Sequence, residues 1–385
     1  MAANTPIYLD HNSTTPIHPE VLEAMVRCWR DLPGNPASQH SLGRKARRIL
    51  EEARDGVASL LGATVSGMDA DLLIFTSGGT EANNLAIIGL TQPHATGRVI
   101  VSPLEHLSVL GPAERLARSG FDLRRLPVLK TGVVAAAAVR ELLTDNTRLI
   151  SVMLASNETG VLQPVREIAQ LAAERGIPLH CDAAQAVGKI PVHFRDLGVS
   201  ALTIAAHKFH GPLGIGGLLL RQGTTLQPQL LGGFQQAGLR AGTESAALAI
   251  GFYTALVLWE REASERQQRM AALQDALERK ILAAEPGAVI VGAAAARLPN
   301  TTNVAFPGVN RQALVMALDM AGIACSTGSA CASGSSEPSP ALLAMGLSPE
   351  LVEGSIRLSW GAFSSAAEGQ QAAERILLAV KQLRR

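Results

Sequence analysis

Six short apolar runs, each ending in a glycine-rich or polar turn, constrain the fold of this chain more than any other feature. They read LLIFTSGG, GRVIVSPLEH, TRLISVMLASNETG, IPLHCDAAQ, SALTIAAHK and IGGLLLR. Apolar strands that alternate with helices indicate a parallel or mostly parallel sheet covered on both faces. Ligands bind to such sheets where the carboxyl ends of the strands open into loops. The polar residues that close these runs are therefore the first candidates for chemistry.

A long helical pattern over residues 245–284 indicates that the chain has two parts. Its charged second half favours a connecting helix that leaves one domain and enters another. The segments that follow, among them AVIVGA, TTNVAFPG and GSIRLSWG, are typical of a smaller α/β unit. We predict a large domain over 16–255 and a small domain formed by 1–15 and 256–385, which is reasonable for 385 residues.

Charge and cysteine content exclude several classes of protein. The chain has 34 basic and 33 acidic side chains and a net charge of +1, so no global field favours nucleic acid or an anionic membrane. The four cysteines are not spaced as a disulfide framework or a metal site, and the start lacks the pattern of a signal peptide. No apolar stretch is long enough to span a bilayer. We therefore expect a cytoplasmic protein without a resident metal.

Two strand ends carry side chains suited to carbonyl chemistry. Lys208 closes the run TIAAHK, and a partly buried amine has a lowered pKa that suits Schiff-base formation. A lysine that simply reaches solvent from a strand end is the alternative. Asp182 closes IPLHCD, where its carboxylate would hold a pyridinium nitrogen protonated or would only cap a turn. Residue type alone leaves both pairs of alternatives open.

The turn in FTSGGTEANNLAI joins a strand to a helix and offers backbone N–H groups to a phosphate, with the hydroxyl of Thr80 nearby. It matches neither the Walker A nor the GxGxxG pattern. His106 and Asn157 close two further runs. His106 would stack on a ring or transfer a proton, and Asn157 would donate a hydrogen bond to a ligand. The alternative is that both residues only stabilise local turns. Arg357 lies in an apolar strand and needs an acidic partner, either an internal Asp or Glu or a substrate carboxylate.

Ten motifs occur in succession between about residues 7 and 361: YLDHNSTTPIHPEV, GNPASQHSLG, TSGGTEANNLAI, LEH, NETG, DAAQAVGK, HKFHGPLGIGG, LRAGTES, STGSACASGSSEPS and SIRLSWG. Together they resemble the pyridoxal-phosphate-dependent cysteine desulfurases of the NifS/IscS-like group, in the class V aminotransferase family. The resemblance implies fold type I, an α/β fold whose large domain has a mostly parallel seven-stranded sheet between helices, with a smaller α/β domain.

The same resemblance implies a role for each candidate residue. Lys208 would form the Schiff base with pyridoxal 5'-phosphate, Asp182 would pair with the pyridine nitrogen, and His106 would stack on the ring. Asn157 and Arg357 match positions that hold the carboxylate of the substrate L-cysteine. Gln185 would contact the ring hydroxyl of the cofactor. The phosphate contacts are implied for Gly79, Thr80, His207 and Thr243. Of these, Thr243 would come from the other subunit of a homodimer.

Cys331 matches the sulfur-accepting cysteine of the family, which takes sulfur as a persulfide and releases alanine. The small residues around it suit a thiol that must reach both a cofactor and an outside acceptor, such as an iron–sulfur scaffold protein. Transient ligation of an iron–sulfur cluster by Cys331 is an open alternative, as is a metal or redox role for Cys325. Cys181 and Cys28 are expected to be packing residues.

Two departures and three rival functions stay open. Ala205 stands where the family usually has a phosphate-binding serine, and Ala362 stands where an arginine often follows the substrate arginine. The rivals are a selenocysteine lyase, an aminotransferase of the same fold, which would not need Cys331, and a weakly active scaffold for sulfur acceptors. Lys208, Asp182, His106 and Cys331 together favour the desulfurase.

Overall fold

The computed structural model describes residues 6–328 and 337–384. Short strands alternate with helices through most of the chain, as the apolar runs predict. The strands are β1 Ile7–Tyr8, β2 Leu72–Thr76, β3 Arg98–Val101, β4 Asp122–Arg125, β5 Thr147–Ser151, β6 Leu179–Asp182, β7 Ala201–Ala205, β8 Gly216–Leu220, β9 Val289–Ile290, β10 Thr301–Ala305, β11 Ile323–Ala324 and β12 Ser355–Ser359. The helices are α1 Pro19–Asp31, α2 Ser41–Leu60, α3 Gly79–Thr91, α4 Leu107–Arg118, α5 Ala138–Leu142, α6 Val165–Ala173, α7 Phe194–Leu197, α8 Ala246–Ala284, α9 Arg311–Met320, α10 Pro340–Ala344, α11 Pro349–Glu353 and α12 Ala366–Leu383.

The main sheet has seven strands in the order β2-β8-β7-β6-β5-β3-β4. Strands β7, β6, β5, β3 and β4 run parallel, and β8 is antiparallel to both of its neighbours. The prediction of a mostly parallel seven-stranded α/β sheet is therefore confirmed. Six of its strands come from the six apolar runs, and the seventh, the edge strand β4, has the polar sequence DLRR.

Helices cover both faces of this sheet. Alternate residues of β3 enter different cores: Ile100 belongs to the core that also includes residues of α2 and α8, whereas Val99 and Val101 belong to the core that includes residues of α3 and α4. Successive side chains of a strand point to opposite faces, so an all-apolar strand requires cover on both sides. This explains why the runs are continuously apolar.

A smaller layer follows the main sheet. Strands β12, β10 and β9 form an antiparallel sheet, and β1 pairs in parallel with β11. Their buried side chains pack with α9, α12 and the second half of α8 in a separate core that includes Ile7 and Leu9. The start of the chain thus packs against residues that come more than 260 positions later.

The predicted connecting helix is α8, a single helix of 39 residues that begins after the capping residue Ser245. Its length is about 58 Å at 1.5 Å per residue. Phe252 and Leu256 in its first half lie in the core beside the main sheet, whereas Leu273 and Leu277 lie in the core of the smaller layer. The predicted domain boundary at 255/256 falls within α8 and stays a prediction. No helix among the described residues has the length and apolarity needed to cross a bilayer.

Candidate active site

A cavity of about 230 Å³ opens at the carboxyl ends of the central strands. The parallel strands bring their terminal residues to one edge of the sheet, although those residues are far apart in the sequence. Eight of the residues singled out from the sequence line this cavity: Gly79, Thr80, His106, Asn157, Asp182, Gln185, His207 and Lys208.

Lys208 lies in the short helical turn that follows β7. Its Nζ donates hydrogen bonds to the carbonyl oxygens of Asn12 at 2.7 Å and Ser13 at 2.8 Å. The neighbouring His207 is mostly buried, and burial, together with Lys208 and Lys189, lowers its pKa to about 4. His207 is therefore a neutral imidazole near pH 7 and offers a hydrogen bond rather than a positive charge.

The carboxylate of Asp182 is fixed from two sides. Asn83 Nδ2 donates to its Oδ2 at 2.7 Å, and the backbone N–H of Ala184 donates to its Oδ1 at 2.9 Å. Asn83 also donates to Ser108 Oγ at 2.8 Å, and Ser108 contacts His106 Nδ1 at 2.7 Å. A hydrogen-bonded chain thus joins the two predicted ring-binding residues.

Asn83 is not among the residues that the sequence patterns single out. It lies on α3, which is buried along most of its length, and it is 1% exposed. A buried amide requires hydrogen-bond partners, so a polar residue one turn into an apolar helix was the available signal.

A second carboxyl group lies close to Asp182. Glu105 is 5% exposed, and its Oε1 accepts a hydrogen bond from the backbone N–H of Met153 at 2.5 Å. Burial and the charge of Asp182 raise the pKa of Glu105 well above its usual value. This environment therefore disfavours the charged form of the Glu105 side chain.

The glycine-rich turn lines the cavity through Gly79 and Thr80. Helix α3 begins at Gly79, and a helix N-terminus presents backbone N–H groups that lack intrahelical partners. Glu81 Oε2 accepts from the backbone N–H of Ser77 at 2.7 Å and also pairs with Arg240, which ties the turn to a distant segment. Ala205, the predicted departure, faces Gly79 with a methyl group only 3.4 Å from where a β-carbon would be built.

Arg357 lies beside the cavity on β12 and is 2% exposed. Its Nη2 donates to Asp10 Oδ1 at 2.7 Å and Ser13 Oγ at 2.8 Å. Its Nη1 donates to the carbonyl oxygens of Asn157 at 3.0 Å and Gly328 at 2.9 Å. Of the two acidic partners left open by the sequence, the structure contains the internal one, Asp10.

The remaining predictions fall elsewhere. Thr243 is exposed and does not line the cavity of its own chain. Cys331 lies outside the described residues. Cys181 is fully buried in β6, in the core as expected, and burial together with Glu105 raises the pKa of its thiol well above the usual value. Burial and the charge of Asp10 raise the pKa of Cys325 to about 12, so its thiol stays protonated at neutral pH.

The residues of the cavity fit pyridoxal phosphate. Its lining combines a fixed carboxylate, a helix N-terminus suited to an anion and a lysine amine. The buried Oδ1 of Asn83 has no hydrogen-bond partner within the described chain. Residues 6–328 and 337–384 contain no group of three or more His, Cys, Asp or Glu side chains that could hold a metal ion.

The family model for aminotransferase class V matches residues 7–371. The chain with this fold and this cavity is therefore a member of the class V aminotransferase family. Cysteine desulfurase IscS of Dictyoglomus turgidum is 41% identical over 93% of this chain and 90% of its own. Cysteine desulfurase NifS of Azotobacter vinelandii is 40% identical over 98% of this chain and 93% of its own. The chain therefore belongs to the NifS/IscS-like cysteine desulfurases, and the resemblance stated from the sequence is confirmed.

Solved structures agree with this assignment. A NifS-like protein superposes with a TM-score of 0.91 at 32% identity, over 98% of this chain and all of that one. A structure described as SspA in complex with cysteine superposes with a TM-score of 0.81 at 33% identity, over 93% of this chain and 99% of that one.

Proposed function

We propose that this chain is a cytoplasmic, pyridoxal-phosphate-dependent cysteine desulfurase that converts L-cysteine to L-alanine and transfers the sulfur to Cys331. The observation that supports this most is the convergence of Lys208, Asp182 and His106 on one cavity, with Arg357 beside it. No two of these residues are neighbours in the sequence, so their meeting is a property of the fold. The relatives are named cysteine desulfurases, and this favours L-cysteine as the substrate.

Each residue then has a task set by its chemistry. The cofactor, when bound, supplies an electron-withdrawing ring that weakens the bonds at the α-carbon of the substrate. Lys208 Nζ takes the α-proton and returns it, Asp182 holds a proton at the ring nitrogen, and His106 covers the ring. The amide of Asn157 and the guanidinium of Arg357 bind the substrate carboxylate.

The sulfur transfer is assigned to Cys331. Its thiolate attacks the substrate sulfur, and an S–S bond forms as the C–S bond breaks. The β-carbon takes the electron pair of the broken bond and then a proton, and alanine leaves. Gly328, three residues before Cys331 in the sequence, is hydrogen-bonded through its carbonyl to the same Arg357 Nη1 that binds Asn157. This supports the proposal, because the described chain preceding Cys331 is attached at the edge of the cavity.

The proposal includes a homodimer, with Thr243 completing the phosphate site of the partner. Thr243 is exposed in a segment that also exposes Leu231 by 83% and Phe234 by 95%. Large exposed apolar side chains favour a protein interface.

An acceptor protein, such as an iron–sulfur scaffold, would then take the persulfide sulfur. The free thiols of Cys28, Cys181 and Cys325 support a reducing compartment.

The test uses the purified yellow holoenzyme with L-cysteine and a thiol reductant. We expect the wild-type protein to release sulfide and alanine, Cys331→Ala to release neither above background, and the control Cys28→Ala to match wild type. Lys208→Ala should lose the yellow colour that the cofactor has when linked to lysine.

Other outcomes contradict the proposal. Undiminished product from Cys331→Ala would remove the role of that thiol and favour a lyase. Absence of product from the wild-type protein would favour a scaffold without turnover.

A further inference from the structure

A second buried lysine lies behind the cavity, and the proposed function gives it no role. Lys189 ends the turn that follows Asp182, and it is 3% exposed. Its Nζ donates a hydrogen bond to Gln185 Oε1 at 2.7 Å. Burying an amine costs free energy unless the amine makes hydrogen bonds, so the partner of Lys189 is significant.

The bond from Lys189 is the first step of a path that ends at Lys208. Gln185 Nε2 donates to the carbonyl oxygen of Asn12 at 3.0 Å, and the same oxygen accepts from Lys208 Nζ at 2.7 Å. Asn12 is itself held, because its backbone N–H donates to Ser359 Oγ and its Nδ2 to Thr301 Oγ1, both at 2.9 Å. The two lysines are thus joined through one glutamine and one fixed carbonyl.

The two ends of a glutamine amide have similar shapes and opposite hydrogen-bonding roles. The carbonyl of Asn12 can only accept, so it requires the NH2 end of Gln185. Lys189 supplies the donor that the oxygen end requires. Burial, with Lys208 and Arg357 nearby, lowers the pKa of Lys189 well below its usual value, but a neutral amine keeps its N–H donors. Without Lys189 the amide oxygen would be buried and unsatisfied, and Gln185 would turn to find another partner.

We propose that Lys189 is a positioning residue that acts through Gln185: its donation to Oε1 fixes the amide that lines the cavity and, through the shared Asn12 carbonyl, the setting of the Lys208 amine. This inference rests on the proposed function, because it takes the cofactor to be what the cavity holds. Gln185 and Lys208 line the cavity, whereas Lys189 does not. Loss of Lys189 should therefore change how the cofactor is held rather than only how well the protein folds.

The test is a double-mutant cycle on cofactor binding. Apoprotein of wild type, Lys189→Met, Gln185→Ala and the double variant is titrated with pyridoxal phosphate, and the visible circular dichroism of each holoenzyme is recorded. We expect each single variant to bind the cofactor about tenfold more weakly, and the double variant to bind no more weakly than Gln185→Ala. The circular dichroism of both single variants should change in the same way, since it reports how the ring is held.

Lys280→Met is the matched control, because Lys280 makes a surface ion pair with Glu374 on α12, remote from the cavity. It should keep wild-type affinity and circular dichroism. Affinities that multiply in the double variant, or Lys189→Met with wild-type affinity and spectrum, would overturn the role of Lys189 and leave the desulfurase proposal standing. A wild-type protein that binds no cofactor and makes no sulfide would overturn both. If Lys189→Met does not fold, Lys189→Gln, whose nitrogen is one bond nearer the backbone, replaces it in the same cycle.

Discussion

At the scale of single residues, the site is built from buried polar groups that hold one another. Asp182 is oriented by Asn83, Lys208 by two carbonyls, and Arg357 by four oxygens. Fixed partners of this kind prepare a site for its ligand before the ligand arrives. They also compete with the ligand, which is clearest for the ion pair between Arg357 and Asp10.

We predict that Asp10→Asn lowers the KM for L-cysteine. The carboxylate of Asp10 occupies Arg357 Nη2, the group assigned to the substrate carboxylate, so removing its charge should favour the substrate by about 1 kcal/mol, roughly fivefold. Steady-state sulfide release at varied cysteine concentration measures it. Ser13→Ala removes a neutral hydrogen bond to the same Nη2 and should not lower the KM. An unchanged or higher KM in Asp10→Asn would contradict the assignment.

Among the secondary-structure elements, neighbouring segments support the glycine-rich turn between β2 and α3. Gln236 accepts from Phe75 N–H at 2.6 Å and donates to Phe75 O at 2.8 Å, so a side chain satisfies both backbone groups of this residue on edge strand β2. Gln236 and Ala237 adopt positive φ angles of 51° and 58°, which are unfavourable for non-glycine residues and need support from their contacts. The segment before Thr243 is thus attached to the strand that leads into the turn.

Strand β8 approaches the same turn closely at Gly216. A β-carbon there would lie 2.6 Å from the backbone carbon of Gly78 and 2.8 Å from the carbonyl oxygen of Ile204. We predict that Gly216→Ala displaces the turn and weakens pyridoxal phosphate binding by about tenfold or more, measured by titration of the apoprotein.

Gly217→Ala is the matched control. Its β-carbon would meet Leu73 Cδ1 at 2.8 Å, the far end of a flexible side chain that can move aside. Equal loss of affinity in both variants would show that the close approach at Gly78 has no special part in the phosphate site.

At the scale of the whole molecule, burial of histidines makes stability depend on pH. His180 is fully buried between Ser151 and Thr203, and burial lowers its pKa to about 4; burial lowers the pKa of His210 to about 4 as well. Between pH 4 and the ordinary value near 6.5, the unfolded chain binds more protons than the folded one. The free energy of unfolding therefore rises with pH across this window.

We predict that each of these histidines contributes a slope of up to about 1.4 kcal/mol per pH unit in that window. Urea unfolding of the holoenzyme at several pH values between 4.5 and 7.5 measures the slope. His180→Gln should reduce it by up to one such contribution, because the replaced group no longer titrates. An equal slope in wild type and His180→Gln would contradict the prediction.

Sequence patterns alone predict the layered α/β architecture, a long helix over 245–284 and the polar residues at the strand ends. Burial on both faces leaves a continuous apolar run, and the polar residue that ends the run marks the open edge of the sheet. Strand β4 escaped this reasoning because an edge strand with the sequence DLRR has no such run.

The meeting of these side chains, by contrast, depends on how the elements pack. Asp10 binds Arg357 across 347 positions, Asn83 binds Asp182 across 99, and Lys189 reaches Lys208 through a carbonyl near the start of the chain. Periodicity in a sequence reports how a residue is buried within its own element. Contacts between elements depend on strand order, register and packing, which appear only when the whole chain has folded.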